Sequence, residues 1–172
     1  MAHDIYIHDL AQPVLNELQR SAMKYGETLT VSFDRQQILA EARKKTGLED
    51  FGPLDFIIRL DLLCDEWGND LALTGIGRLG LRNKLVLFAC SRLLLQREFN
   101  RHPEILNEEI VSPIIVAGLP RSGTTHLLNM LAADSRLRSL PLWEAYEPVA
   151  LPGESVVRND SSPRHERCAQ SW

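Results

Sequence analysis

Gly118-Leu119-Pro120-Arg121-Ser122-Gly123-Thr124-Thr125 concentrates the residues of this chain whose types and spacing suit chemistry. Two glycines let the backbone turn tightly and bring successive N–H groups toward one point. A helix that follows adds the positive end of its dipole, so the segment suits an anion of phosphate size. Thr124 and Thr125 supply hydroxyl donors. Arg121 supplies a guanidinium that can fork onto two anionic oxygens and offset charge developing on a leaving phosphate. A nucleotide triphosphatase loop needs lysine directly after its second glycine, to reach the β- and γ-phosphates. Here that place is Thr124 and the cation comes earlier, which suits a shorter phosphate chain. The bland alternative is a glycine turn that merely connects strand to helix; the glycine spacing, between an expected strand and an expected helix, favours the anion-binding reading.

The flanks supply that context in pattern. Ser112-Pro113-Ile114-Ile115-Val116-Ala117 is a short apolar, β-branched run without helical periodicity and predicts a buried strand. Thr124 to Ala133 places Leu127, Leu128, Met130 and Leu131 in helical register. Upstream, residues 1–108 read as all-helical. The first helix runs from Leu10 to Tyr25, with Val14, Leu15, Leu18 and Ala22 on one face and Gly26 as its stop. The second has Ser32 as N-cap, Ile38, Leu39 and Ala42 on one face, and Gly47 beyond its end. The third opens at Gly52-Pro53 and carries Phe56, Ile57, Leu60, Leu63 and Cys64 toward Trp67-Gly68. The fourth spans Leu79 to Phe99, with Leu81, Leu85, Phe88 and Leu95 along one side and Arg82, Lys84, Arg92 and Arg97 interrupting it. Downstream, Leu140-Pro141-Leu142-Trp143 reads as a second strand or its approach, Pro148 to Pro163 as loop, and Ser162-Pro163 as a helix start. The fold class expected is α/β: residues 109–172 begin a P-loop-type parallel sheet, incomplete here, preceded by the helical region 1–108. One parallel strand cannot bury itself, so the chain reads as the amino-terminal part of a larger enzyme.

Pro120-Arg121-Ser122-Gly123-Thr124-Thr125 resembles the 5′-phosphosulfate-binding loop of the sulfotransferase superfamily, usually Pro-Lys/Arg-Ser-Gly-Thr-Thr. The likeness extends outward through Pro113–Leu119, His126–Leu131 and Pro141-Leu142-Trp143-Glu144, and Pro163–Cys168 resembles the following helix of a bacterial branch that acts on small molecules or lipids. The resemblance implies transfer of a sulfuryl group from 3′-phosphoadenosine-5′-phosphosulfate to an acceptor hydroxyl or amine, with no obligatory metal. It puts Arg121 near the 5′-phosphate and bridging oxygen, and Ser122, Gly123, Thr124 and Thr125 on the 5′-phosphate. It makes Glu144, or Glu147, the candidate general base. The Arg and Ser that hold the 3′-phosphate in the family have no counterpart in this sequence.

The remaining features mostly exclude. A formal net charge of -4 over 172 residues gives no global attraction to nucleic acid. No apolar run approaches the roughly 20 residues of a membrane span. Cys64, Cys90 and Cys168 are odd in number and far apart, as suits reduced thiols in the cytoplasm, and no His/Cys cluster has metal-ligand spacing. His126 in the first turn after the loop reads as packing or capping rather than as a base, Trp143 as core, and His102 and His165 as surface. Two rivals remain beside the sulfotransferase reading: a P-loop nucleotide kinase or other phosphotransferase, against which the missing lysine argues, and a non-catalytic fragment.

Overall fold

In the computed structural model, which describes residues 14–119, 121–151, 153–154 and 162–170, every regular element is a helix. The chain forms two units, one drawn from residues up to 42 and 53–89, the other from 43–52 and from 90 onward.

In the first unit, α1 (Glu17–Glu27) begins on a reciprocal cap: Gln19 N–H donates to the Asn16 side chain at 2.8 Å and Asn16 N–H to the Gln19 side chain at 2.8 Å. That box satisfies two of the donors a helix start leaves open. The expected Leu10 start lies outside the described residues, but Val14 and Leu15, expected within the helix, precede it, and Val14 and Leu18 are exposed rather than on a buried face. Helix α2 is Arg35–Thr46, and its cap is Asp34 rather than the predicted Ser32. The Asp34 carboxylate stands next to the first helical residue and accepts from Gln37 N–H at 2.8 Å, while Ser32 Oγ accepts from Asp34 N–H at 3.2 Å. Gly47, with φ 69°, ends the helix as its type predicts. Helix α3 (Phe56–Asn69) starts three residues after Pro53 and buries Leu60 and Cys64. The unit's core joins these to Phe33, Ile38, Leu39, Ala42, Leu85, Val86 and Ala89.

Helix α4 (Gly75–Arg101) is the long element. Its buried stripe is Leu85, Val86, Ala89, Leu93 and Leu94, and Phe88, predicted to share it, is 62% exposed. The arginines that interrupt the apolar pattern are tied to neighbouring loops. Within the first unit Arg78 donates to the carbonyls of Trp67, Gly68 and Asp70 at 3.0–3.3 Å, closing the carboxyl end of α3, and its guanidinium lies 5.2 Å from the Phe33 ring centroid. Arg82 donates to Ser32 O at 3.2 Å and pairs with Glu41 at 2.7 Å. In the second unit Arg92 donates to Phe51 O at 2.8 Å and Arg97 to Ala150 O at 3.1 Å. Each cation is thus a cap for carbonyls that no helix or sheet would otherwise satisfy.

The second unit continues through a 3-10 turn (Pro103–Asn107), α5 (Thr124–Ala132), α6 (Leu142–Tyr146) and α7 (Pro163–Gln170). Two sequence expectations are corrected here. Ser112–Ala117 forms no strand among the described residues, and Ile114 and Ile115 are 62% and 82% exposed rather than buried. A strand exists only by pairing its N–H and C=O groups with a neighbour, and no other described segment lies beside this one as a strand. Leu140–Trp143 is not a strand either: Pro141 sets an extended residue and α6 follows, because Pro141 is placed where a helix tolerates its missing N–H. What remains of the expected βα packing is an apolar hollow of about 230 Å³ where Ile114 and Val116 face Leu128 and Leu131 of α5. Helix α7 starts at Pro163 as predicted; the Ser162 hydroxyl, however, is buried without a hydrogen-bond partner, and it is the Ser162 carbonyl that accepts from His165 and Glu166 N–H.

Candidate functional site

The glycine loop closes on itself. Ser122 N–H donates to Leu119 O at 3.2 Å, a tight turn that carries Arg121 in the left-handed region at φ 69°. For an arginine that conformation costs on the order of 1 kcal/mol, and such strain collects at functional turns. Gly123 follows at φ 90° and stands at the N-cap of α5, where its lack of a Cβ makes the left-handed backbone free of steric cost. Gly118 is needed for a different reason. A Cβ there would lie 2.7 Å from Ser122 Oγ and 2.9 Å from Thr124 Cγ2, so the far limb of the loop folds directly over it.

The first intrahelical acceptor of α5 is Gly123 O, bonded by Leu127 N–H at 3.0 Å. The N–H groups of Gly123, Thr124, Thr125 and His126 therefore precede the helical ladder and form the donor set of a helix N-terminus. Arg121, Ser122 and Thr125 are exposed, Thr124 is half-buried, and His126 is exposed on the first turn. The arrangement offers an anion several backbone donors, hydroxyls and one exposed guanidinium. Pro120 lies outside the described residues.

The two candidate bases have different surroundings. Glu144, on α6, keeps 13% of its side chain exposed, and its Oε2 accepts from Arg138 Nη2 at 2.7 Å. It lines a cleft of about 410 Å³ between the end of α4, the 3-10 turn and the stretch 148–150. Glu147 is locked into structure: both of its carboxylate oxygens accept from Arg167, which also binds Glu154. That hydrogen bond from Arg167 holds the Glu154 carboxyl below its ordinary value, and the two carboxylates together raise Arg167. Arg164 is 5% exposed, donates to Glu147 O at 3.0 Å and Pro148 O at 3.2 Å, and lies 4.8 Å from the Trp143 ring centroid. Trp143 is buried with His165 against its edge, a core role as its type suggested.

Sequence reasoning allowed that Glu144 and Glu147 pair with arginines, as both do, but singled out neither Arg138 nor the buried Arg164. Arg138 and Glu144 stand six positions apart, outside the i,i+3 and i,i+4 pairings of a helix. Arg164 carried only the signature of a helix start.

A profile of the sulfotransferase family matches residues 113–170, the stretch that holds the loop, α5, α6 and α7. The crystal structure of sulfotransferase STF1 from Mycobacterium tuberculosis H37Rv is similar to this chain at 32% sequence identity and a TM-score of 0.65. The overlay covers 80% of this chain, and this chain spans 38% of the length of that protein. No curated protein matches. Residues 113–170 carry the match to the sulfotransferase family, and the chain is similar in fold to a sulfotransferase over 80% of its length.

Proposed function

We propose that this chain takes part in sulfuryl transfer from 3′-phosphoadenosine-5′-phosphosulfate to a hydroxyl or amine of a small-molecule or lipid acceptor. The observation that carries the reading is the loop limb Ser122–Thr124 folded over Gly118 at the open end of α5, with Arg121 as the cation of that turn. The donor's 5′-phosphate is held by the N–H groups and hydroxyls of Ser122, Gly123, Thr124 and Thr125. Arg121 faces the bridging oxygen. As the acceptor oxygen forms its bond to sulfur, the bond between sulfur and the bridging oxygen breaks and its electron pair leaves on the 5′-phosphate. Arg121 offsets that charge. The acceptor's proton passes to a base, for which Glu144 is the candidate in this chain; Glu147 is already committed to Arg167. The demand on the protein is in-line positioning and charge stabilisation, with no metal called for. Cys64, Cys90 and Cys168, odd in number and far apart in sequence, suit a cytoplasmic setting. No helix among the described residues is long and apolar enough to cross a membrane.

Calorimetric titration tests the reading, with 3′-phosphoadenosine-5′-phosphate as ligand, ATP with magnesium as comparator and Arg121→Ala as control. Selective, saturable binding of the bisphosphate is expected, weakened about tenfold to a hundredfold in the variant by loss of a charge-assisted hydrogen bond. Equal or tighter binding of ATP with magnesium would instead favour a kinase-type loop.

A further inference from the structure

Among the described residues Arg164 is the only charged residue that is buried, at 5% exposure. Taking a guanidinium out of water is costly unless an anion or a full set of acceptors replaces that water. Here the replacement is partial. Nη1 donates to the carbonyls of Glu147 and Pro148 at 3.0 and 3.2 Å, and the guanidinium lies 4.8 Å from the Trp143 ring centroid. Nε is buried without a hydrogen-bond partner, and Nη2 has none among the described residues. A buried donor left unsatisfied is itself unfavourable. Nε–H and Nη2–H together form one edge of the guanidinium, the side-on fork that matches the two oxygens of a carboxylate.

The acidic side chains around Arg164 do not fill that fork. Glu144 is paired with Arg138 at 2.7 Å and Glu98 with Arg97 at 2.7 Å. Glu147 and Glu154 share Arg167; Glu154 feels the Arg164 charge, yet the guanidinium bound to it is that of Arg167. Each of these carboxylates thus has an arginine of its own, and a guest anion meets none of them bare.

Arg164 lines the cleft of about 410 Å³ that Leu95, Phe99, Ile105, Leu140 and Val149 wall with apolar surface. That volume is in the range of sites that enclose a small organic molecule. An unclaimed cation at one point and hydrocarbon elsewhere fit a guest divided in the same way, one carboxylate on an apolar body. The site is also preset. Two carbonyl bonds fix the Arg164 guanidinium, and Arg97 holds the Ala150 carbonyl beyond Val149, which lowers the ordering cost of filling the cleft. No described residue of the loop Gly118–Thr125 lines it, so its guest is a second ligand beside the anion of the loop.

We propose that this cleft binds an apolar monocarboxylate, with the two carboxylate oxygens on the Nε–Nη2 fork of Arg164 and the hydrocarbon chain against Leu95, Phe99 and Val149. The counter-charge arrives with the guest, so a carboxylate is preferred over the alcohol or the ammonium of the same chain.

The test is a three-headgroup series on one alkyl chain, octanoate, 1-octanol and octylammonium, titrated into the full chain by calorimetry. Octanoate is expected to bind saturably and about tenfold more tightly than octanol, the difference between a charge-assisted fork and a neutral hydrogen bond, with octylammonium weakest. Arg164→Gln should bring octanoate down to the level of octanol while octanol itself binds as before. Leu140→Trp, at a position 55% exposed, narrows the cleft and should abolish octanoate binding; circular dichroism checks the fold of each variant. The Arg164 Nε–H resonance of the parent chain, followed by heteronuclear NMR, needs no variant: it should shift with octanoate and stay with octanol. Octanol or octylammonium binding as tightly as octanoate overturns the proposal. So does an octanoate preference that survives in folded Arg164→Gln, octanoate binding that survives in folded Leu140→Trp, or an Nε–H resonance that stays fixed while octanoate saturates.

Discussion

Gly118→Ala isolates the loop's geometry from its chemistry, because the added methyl brings no charge and no polar atom. The backbone at Gly118 does not lie in the left-handed region, so alanine meets no conformational obstacle, only a steric one. Its Cβ would stand 2.7 Å from Ser122 Oγ and 2.9 Å from Thr124 Cγ2, against 3.4 Å for ordinary contact. The loop limb must therefore retreat by about 0.5 to 0.7 Å, or Ser122 and Thr124 must both leave their rotamers. Threonine is stiff at χ1, which makes backbone retreat the easier course. Either response moves the hydroxyl and N–H donors by a sizeable part of the window in which a hydrogen bond to an oxyanion forms. A misplacement approaching 1 Å costs on the order of a hundredfold, so affinity for 3′-phosphoadenosine-5′-phosphate should fall about tenfold to a hundredfold, or about 1.4 to 2.7 kcal/mol. Stability should change little, since the loop is exposed. Gly80→Ala is the matched control: it lies inside α4 with nothing within 4 Å of the new methyl, and should stabilise by about 0.5–1 kcal/mol without touching binding. Calorimetry with the bisphosphate nucleotide and a thermal melt of each variant suffice. A Gly118→Ala chain that binds like the parent would refute the claim that the folded-over limb is the binding device.

Arg121→Gly and Arg121→Ala should weaken nucleotide binding equally, because glycine adopts φ 69° freely and keeps the turn while both variants lose the guanidinium; parent-like binding by the glycine variant would mean the cation has no role. Arg167 holds Glu154 below its ordinary 4.5, so that pair stabilises the fold above pH 4.5 and its contribution disappears as pH falls through the lower folded value. Arg167→Leu leaves Glu147 and Glu154 side by side without their cation and should move the acid-unfolding midpoint, followed by near-ultraviolet circular dichroism, to higher pH; an unmoved midpoint would show that the clamp contributes nothing.

What could be read from the sequence follows the range of the interaction concerned. The loop's backbone geometry was legible because it is local: Gly123 at φ 90° and Gly118 under Ser122 are needs that only glycine meets. Helix ends were legible where a stop is local, as at Gly47, and misjudged by two residues where serine and aspartate compete for one cap, as at Ser32 and Asp34. Glu144 was a candidate only through the family resemblance, and the cleft it lines was not visible at all. Leu95, Phe99, Ile105 and Val149 meet there from three separate segments, and no periodicity links them.

The arginines of α4 show the same limit from the other side. Arg78, Arg82, Arg92 and Arg97 look like interruptions of an apolar stripe, and each turns out to satisfy carbonyls as many as fifty-odd residues away in sequence. The strand predicted at Ser112–Ala117 is the sharpest instance. A β-branched apolar run says that burial is favourable, by about 25 cal/mol for each Å² removed from water, and says nothing of what does the burying. Leu128 and Leu131 of α5 close one side of that segment, while Ile115 keeps 82% of its surface open. The periodicity encodes a demand for a partner; pairing is a property of the partner's presence, and so the segment's apolar character and its exposure are both correct readings of the same residues.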